Sequence, residues 1–217
     1  MGARRGGLFR SLRACPAAKS GILTLPSRKR VSQPMEPCSN PLPFPKTYWV
    51  LPGRLLAGPH PGSQDPTVTD QQLHALLDCG VRSILNLQEA AEMDQADPPY
   101  APYWLRLQEL TDARGLAFRW QRHPIPDYTA PTPQDMRRIL DALDGALASE
   151  GAVYLHCWGG VGRTGTVVGC FLARRGLAVG EEALQLLNQL RQVIPNARSA
   201  PESEAQIALV RAWPIGA

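Results

Sequence analysis

The chain has 217 residues, 44% of them hydrophobic and 19% charged, with a formal net charge of +4. That length and composition suit one well-buried core without a second domain. No apolar run approaches the roughly 18–20 residues that cross a bilayer, so no membrane span is expected.

The positive charge is local. Residues 1–35 carry eight Lys or Arg and no acid, which leaves residues 36–217 with 15 bases against 19 acids, a net −4. A nucleic-acid-binding domain would place its basic residues on the folded face, so no nucleic-acid partner is expected. Five cysteines, at 15, 38, 79, 157 and 170, form an odd set without framework spacing. Free thiols in a reducing, cytoplasmic setting are the expectation, and a monomer is expected.

The first stretch holds Arg4, Arg5, Arg10 and Arg13 among scattered Ser. It fits an organelle transit peptide, a disordered tail, or a leader upstream of a start at Met35. Pro34 to Pro45 reads as an extended, Pro-rich linker. Residues 1–45 are therefore expected to be a basic, disordered extension and residues 46–217 the domain.

Tyr48–Leu51 and Arg54–Gly58 read as two short strands around Pro52-Gly53, an edge hairpin of structural purpose. Thr69-Asp70-Gln71-Gln72 fits a capping box opening a helix that stops at Gly80. Val81–Leu87 is the next strand. A helix is predicted from about Tyr103 to Arg114, ended by Gly115, and then a strand at Leu116–Trp120. Ile125–Pro131 holds two prolines and one acid, Asp127, and must be a loop. Thr132-Pro133 opens a helix by N-cap and N1 chemistry, running to about Ser149. Ala152–His156 is the central strand, and helices follow at about 163–175, 180–192 and 202–213. This alternation predicts an α/β fold in which a central, mostly parallel sheet carries helices on both faces. Ligands of such sheets bind beyond the carboxyl ends of the strands.

Cys157 stands at such an end, opening Cys157-Trp158-Gly159-Gly160-Val161-Gly162-Arg163-Thr164. A Cys and an Arg six apart would alone be weak, but the strand, glycine-rich loop and helix around them are the context a phosphate-binding loop requires. Glycines let successive N–H groups turn inward as an anion nest. Arg163 can hold two phosphoryl oxygens with its planar fork. A thiol at a helix N-terminus beside a guanidinium ionises more readily than a free one. Attack on phosphorus by Cys157 would give a phosphocysteine without a metal or other cofactor. The leaving group still needs a proton, and Asp127 is the candidate donor.

His156 to Gly165 resembles the signature of the cysteine-dependent protein tyrosine and dual-specificity phosphatases. Ile125-Pro126-Asp127 resembles the mobile acid loop of that superfamily, and Ser199 to Gln206 its late segment. With the Pro-Gly-Arg-Leu-Leu-Ala-Gly stretch from Pro52, the resemblance covers roughly residues 46–213. It implies a phosphotyrosine-phosphatase-like fold and Cys157 as nucleophile. Arg163 would bind phosphate and transition state, and Asp127 would act as acid, then base. It further implies that Thr164 stabilises the thiolate, that His156 tunes Cys157, and that Trp158, Gly159, Gly160, Val161 and Gly162 bind phosphate by their backbone. Gln206 would position the hydrolytic water, its plainer reading being a surface helix residue.

The domain is too short for the large tyrosine phosphatases and lacks their phosphotyrosine-recognition loop, which points to the compact, atypical dual-specificity type. Trp158 and Val161 occupy loop positions where phosphoinositide phosphatases often carry bases, which disfavours a polyphosphoinositide. A phosphorylated protein is the expected substrate. Sugar, nucleotide, RNA-end or phosphoinositide phosphomonoesters, or phosphate binding without turnover, stay open. Cys79 and Cys170 read as inert thiols, and His60, His74 and His123 lack metal-site spacing. Tyr128 and Trp158 either flank the pocket or only pack the loop.

Overall fold

The computed structural model describes residues 41–93 and 100–217. The transit, tail or leader readings of the N-terminal stretch, and Cys15 and Cys38, lie outside the described residues. Strands β1 (Tyr48–Leu51) and β2 (Leu55–Gly58) pair antiparallel as the hairpin predicted from Pro52-Gly53. They are followed by α1 (Pro66–Asp78), β3 (Val81–Asn86), a 3-10 turn (Ala90–Met93), α2 (Tyr103–Ala113) and β4 (Arg119–Arg122). The chain ends with α3 (Pro133–Leu147), β5 (Ala152–His156), α4 (Gly162–Arg174), α5 (Glu181–Leu190), a 3-10 turn (Arg191–Val193) and α6 (Glu204–Ala212).

The sheet order is β1-β2-β5-β3-β4, with all pairings but β1-β2 parallel. β5 lies at its centre, and all five of its residues are buried because helices cover both faces. Val153 and Leu155 point into a core shared with α3 to α6, built from residues such as Leu85, Met136, Leu140, Phe171 and Leu187. Ala152 and Tyr154 point the other way, toward Leu73, Leu76, Tyr103 and Leu107 of α1 and α2.

Register decides where the site falls. Gly58 and Asn86 both stand opposite His156, and Arg122 stands opposite Asn86. The carboxyl ends of β2, β5, β3 and β4 therefore finish in one row, and the residues just beyond them meet.

Four expectations need correction. Helix α1 starts three residues before Thr69, because Asp65 caps it by accepting from the Thr67 N–H at 2.8 Å and Pro66 occupies the first turn. Thr69 is a buried helical residue whose hydroxyl accepts from the Ser63 N–H. Strand β4 begins at Arg119, not Leu116. Gly115, at φ +61°, ends α2, and the Leu116 N–H bonds back to the Thr111 carbonyl at 2.9 Å, so Leu116 belongs to the helix stop. Phe44, inside the stretch read as linker, is buried edge-on against Tyr154 at 6.0 Å. The hairpin is edge-like only at β1, since β2 is an inner strand.

Candidate active site

Cys157 follows β5 directly and is 3% exposed, and the loop after it runs into the first turn of α4. Among the described residues, no protein acceptor engages the backbone N–H groups from Trp158 to Gly162. Two carbonyls explain their direction. The His60 N–H donates to the Trp158 carbonyl at 2.8 Å, and Arg191 Nη1 donates to the Gly160 carbonyl at 2.7 Å. In a planar trans peptide the N–H points opposite to its C=O, so pinning these two carbonyls outward turns the Gly159 and Val161 N–H groups inward. Gly160 sits at φ +69°, and a Cβ there would stand 2.4 Å from the Gly58 backbone. Only glycine lets the loop after β5 lie that close to the chain leaving β2.

Arg163 heads the same helix and is 1% exposed. Its fork meets both oxygens of Glu92, the Nη2–Oε2 contact being 2.9 Å, and Nη1 also donates to the Ile125 carbonyl at 3.1 Å. Asp127 Oδ1 lies 3.0 Å from Arg163 Nη2. The acid predicted from a proline-rich loop is thus beside the predicted phosphate-binding guanidinium, although they stand 36 positions apart in the chain. Burial opposes ionisation of Glu92, but Arg163 and the Glu89 amide outweigh it and hold its carboxyl below the ordinary range.

The acid loop is held at both ends. Ile125 is buried and its N–H donates to the Leu87 carbonyl at 3.0 Å. Tyr128 adopts φ +56°, which lets its N–H donate back to Asp127 Oδ1 at 3.1 Å. Tyr128 is 66% exposed and stands outside the core.

His156 is buried inside a chain of hydrogen bonds. Trp120 Nε1 donates to the Tyr103 hydroxyl at 2.8 Å, that hydroxyl contacts His156 Nε2 at 2.7 Å, and His156 Nδ1 contacts the Cys157 carbonyl at 2.9 Å. A carbonyl can only accept, so the imidazole proton sits on Nδ1 and donates to Cys157, and Nε2 of the neutral ring accepts the tyrosine proton. Burial, and next the neighbouring His60, push His156 down to about 3, which keeps it neutral. Thr164 is fully buried, and among the described residues its hydroxyl has no partner.

Four further residues around this loop were not singled out from the sequence: Glu92, Gln88, Tyr103 and Arg191. Sequence spacing assigns His60 no metal role and marks it for no other. It is buried, it stacks on Trp158 at 5.5 Å, and Tyr100 closes on Trp158 edge-on at 5.0 Å. Trp158 is 39% exposed although its ring is packed between His60 and Tyr100. His60 Nδ1 donates to Gln88 Oε1 at 2.9 Å, and Gln88 Nε2 donates to Glu92 Oε2 at 3.3 Å, which carries the order on to Arg163. Arg191 lies buried over the Tyr48 ring. No local pattern marks these residues, because the sheet order brings them together.

Gln206 is fully buried and is not a surface residue. Its Oε1 accepts from the Glu202 and Ser203 N–H groups, each at 3.2 Å, and its Nε2 donates to the Thr129 carbonyl at 3.0 Å. Ser203 accepts from the Gln206 N–H in return, a capping box that starts α6 at Glu204. Ser-x-x-Gln is the pattern that signals it. Cys170 is buried among apolar side chains, which push its thiol up. Cys79 is half-buried.

Among the described residues, no group of three His, Cys, Asp or Glu could hold a metal, and no helix is long and apolar enough to cross a membrane.

A buried thiol ending a central parallel strand, an inward-facing amide loop, a buried arginine at the next helix and a carboxylate beside it define a domain of the cysteine-dependent phosphatase class. Residues 45–214 match the family described as Swiss Army Knife protein, DSP-PTPase phosphatase domain, and the chain belongs to that family. It is 30% identical over 150 residues to the dual specificity protein phosphatase CDC14AB of Danio rerio, a match covering 63% of this chain and 20% of that one. It is 43% identical over 63 residues to Paladin of Gallus gallus, covering 28% of this chain and 7% of Paladin. The chain thus spans a fifth or less of the length of these two relatives. The structure of Tk-PTP in the active form shares the fold, with a TM-score of 0.56 at 23% identity over 77% of this chain and 95% of that one.

Proposed function

We propose that this domain is a dual-specificity-type phosphatase that hydrolyses phosphomonoesters on protein side chains through a covalent phosphocysteine. The observation that carries the reading is the 3.0 Å pairing of Asp127 with Arg163, whose own loop begins at Cys157. It sets a proton donor beside the group that would hold the equatorial oxygens of phosphate.

In the first step the Cys157 sulfur attacks phosphorus, forming an S–P bond as the P–O bond to the leaving group breaks. The Asp127 carboxyl gives its proton to the departing oxygen. Arg163 and the inward N–H groups stabilise the charge gathering on the equatorial oxygens. In the second step water attacks phosphorus, Asp127 takes its proton, and the S–P bond breaks. The Thr164 hydroxyl, buried beside this loop, donates to the returning thiolate.

Wild-type protein is expected to hydrolyse 4-nitrophenyl phosphate without added metal. Cys157→Ser should abolish turnover, and activity surviving it would sink the mechanism. On phenyl phosphate, whose leaving group needs the proton, Asp127→Ala should lower kcat by about 10²- to 10⁴-fold, the usual worth of a general acid. Substrate trapping with Asp127→Ala in cell extract then tests the substrate class. Captured phosphoproteins support the reading, whereas phosphate released only from sugar, nucleotide, RNA-end or lipid phosphomonoesters would replace it.

A further inference from the structure

The carboxamide of Gln206 touches both halves of the site. A Cβ on Gly162, the residue before Arg163, would stand 3.0 Å from Gln206 Oε1 and 3.2 Å from its Nε2. The same side chain donates to the Thr129 carbonyl, two residues past Asp127. It is fully buried, and its oxygen is fixed by two backbone N–H groups at the start of α6. An amide so anchored is a rigid peg, and its one described bond to the acid loop is the Thr129 contact. Among the described residues Thr129 otherwise bonds within the loop, its N–H and hydroxyl both donating to the Pro126 carbonyl at 3.2 and 2.8 Å.

We propose that Gln206 is a positioning residue that tethers the acid loop through the Thr129 carbonyl and so sets the reach of Asp127 toward the leaving group. This differs from positioning water, because the tether acts in the step that forms the phosphoenzyme. A water-positioning role acts in the step that breaks it. The proposal rests on the phosphatase reading of the same site.

Gln206→Glu tests it with little change of shape. The glutamate keeps oxygens for the Glu202 and Ser203 N–H groups but faces the Thr129 carbonyl with an acceptor in place of a donor. For phenyl phosphate, whose leaving group needs the proton, kcat/KM should fall about tenfold, the size of one lost hydrogen bond. For 4-nitrophenyl phosphate, whose leaving group needs it little, kcat/KM should change less than about twofold. Amide exchange at Thr129 should quicken in the variant, since its N–H closes the loop that the tether holds. Ser203→Ala, which removes the serine half of the cap and leaves the tether, should lower the melting temperature and leave the leaving-group dependence alone.

Equal losses on both substrates would put the fault in the phosphate loop at Gly162 and overturn the tether. A fall in kcat with kcat/KM unchanged and a burst of product would assign Gln206 to water instead. A Ser203→Ala variant with the same leaving-group effect would reduce the role to helix capping. Should the wild type turn over neither substrate, the phosphatase reading falls, while unchanged Thr129 exchange in Gln206→Glu would overturn the tether by itself.

Discussion

Tyr103→Phe tests whether the buried hydrogen-bond chain behind Cys157 is as strict as its geometry. The hydroxyl is 2.8 Å from Trp120 Nε1 and 2.7 Å from His156 Nε2, and the residue is 1% exposed. Removing it leaves His156 Nε2, on a fully buried ring, without a donor, which costs about 1–3 kcal/mol. Trp120 is half-buried and regains water at its indole N–H, adding under about 1 kcal/mol. A total near 2–3 kcal/mol corresponds to a drop of about 5–10 °C in Tm for a domain of this size. Thermal melts of the two proteins measure it, and ¹⁵N shifts of the His156 ring report the tautomer directly. The wild type should show the proton on Nδ1, which donates to the Cys157 carbonyl, and Trp120→Phe should preserve that tautomer. An unchanged melt, or a proton found on Nε2 of the wild type, would refute the assignment of donors along the chain.

Two other outcomes follow from the same region. Burial pushes His60 down to about 4 and His156 to about 3, from an ordinary 6.5, although Gln88 and Glu92 pull His60 the other way. The unfolded chain therefore takes up protons first as pH falls, so stability held above pH 6.5 is lost toward pH 4, at up to about 1.4 kcal/mol per pH unit for each ring. Glu92 and Asp70, both held low, add to the loss only below their ordinary range near 4. Urea midpoints that stay level from pH 7 to 5 would contradict this. Gly160→Ala combines a φ of +69° with a Cβ 2.4 Å from the Gly58 backbone. Because about 1 Å of misplacement can reduce catalysis about 10²-fold, kcat/KM should fall by that order; full activity would mean that the two loops do not abut.

What could be read from residue order was whatever lies within one continuous stretch. Strand, glycine loop and helix around Cys157 are consecutive, so their chemistry was legible. Asp127 was legible because the nearby prolines forbid regular structure there. Glu92 and Gln88 were not, because nothing in Gln88-Glu89-Ala90-Ala91-Glu92 distinguishes a functional carboxylate from a solvated turn. The start of α1 went astray where two cap patterns compete. Asp65-Pro66 outranks Thr69-x-x-Gln72 at α1, and Ser203-x-x-Gln206 hides a buried amide inside an ordinary capping box.

The placement of β5 between β2 and β3 turns these separate stretches into one site. His60 follows β2, Gln88 follows β3 and Cys157 follows β5, all from strands that end level. Pairing through His60, Gln88 and Glu92 then reaches Arg163 without passing through the glycine loop. The guanidinium is thereby aimed by the sheet on one side and by its own helix on the other. A loop of the same sequence grafted at a sheet edge would keep its N–H groups and lose that aim. The five residues between Cys157 and Arg163 are thus only the part of the constraint that runs along the chain, and the larger part runs across it, through the sheet order.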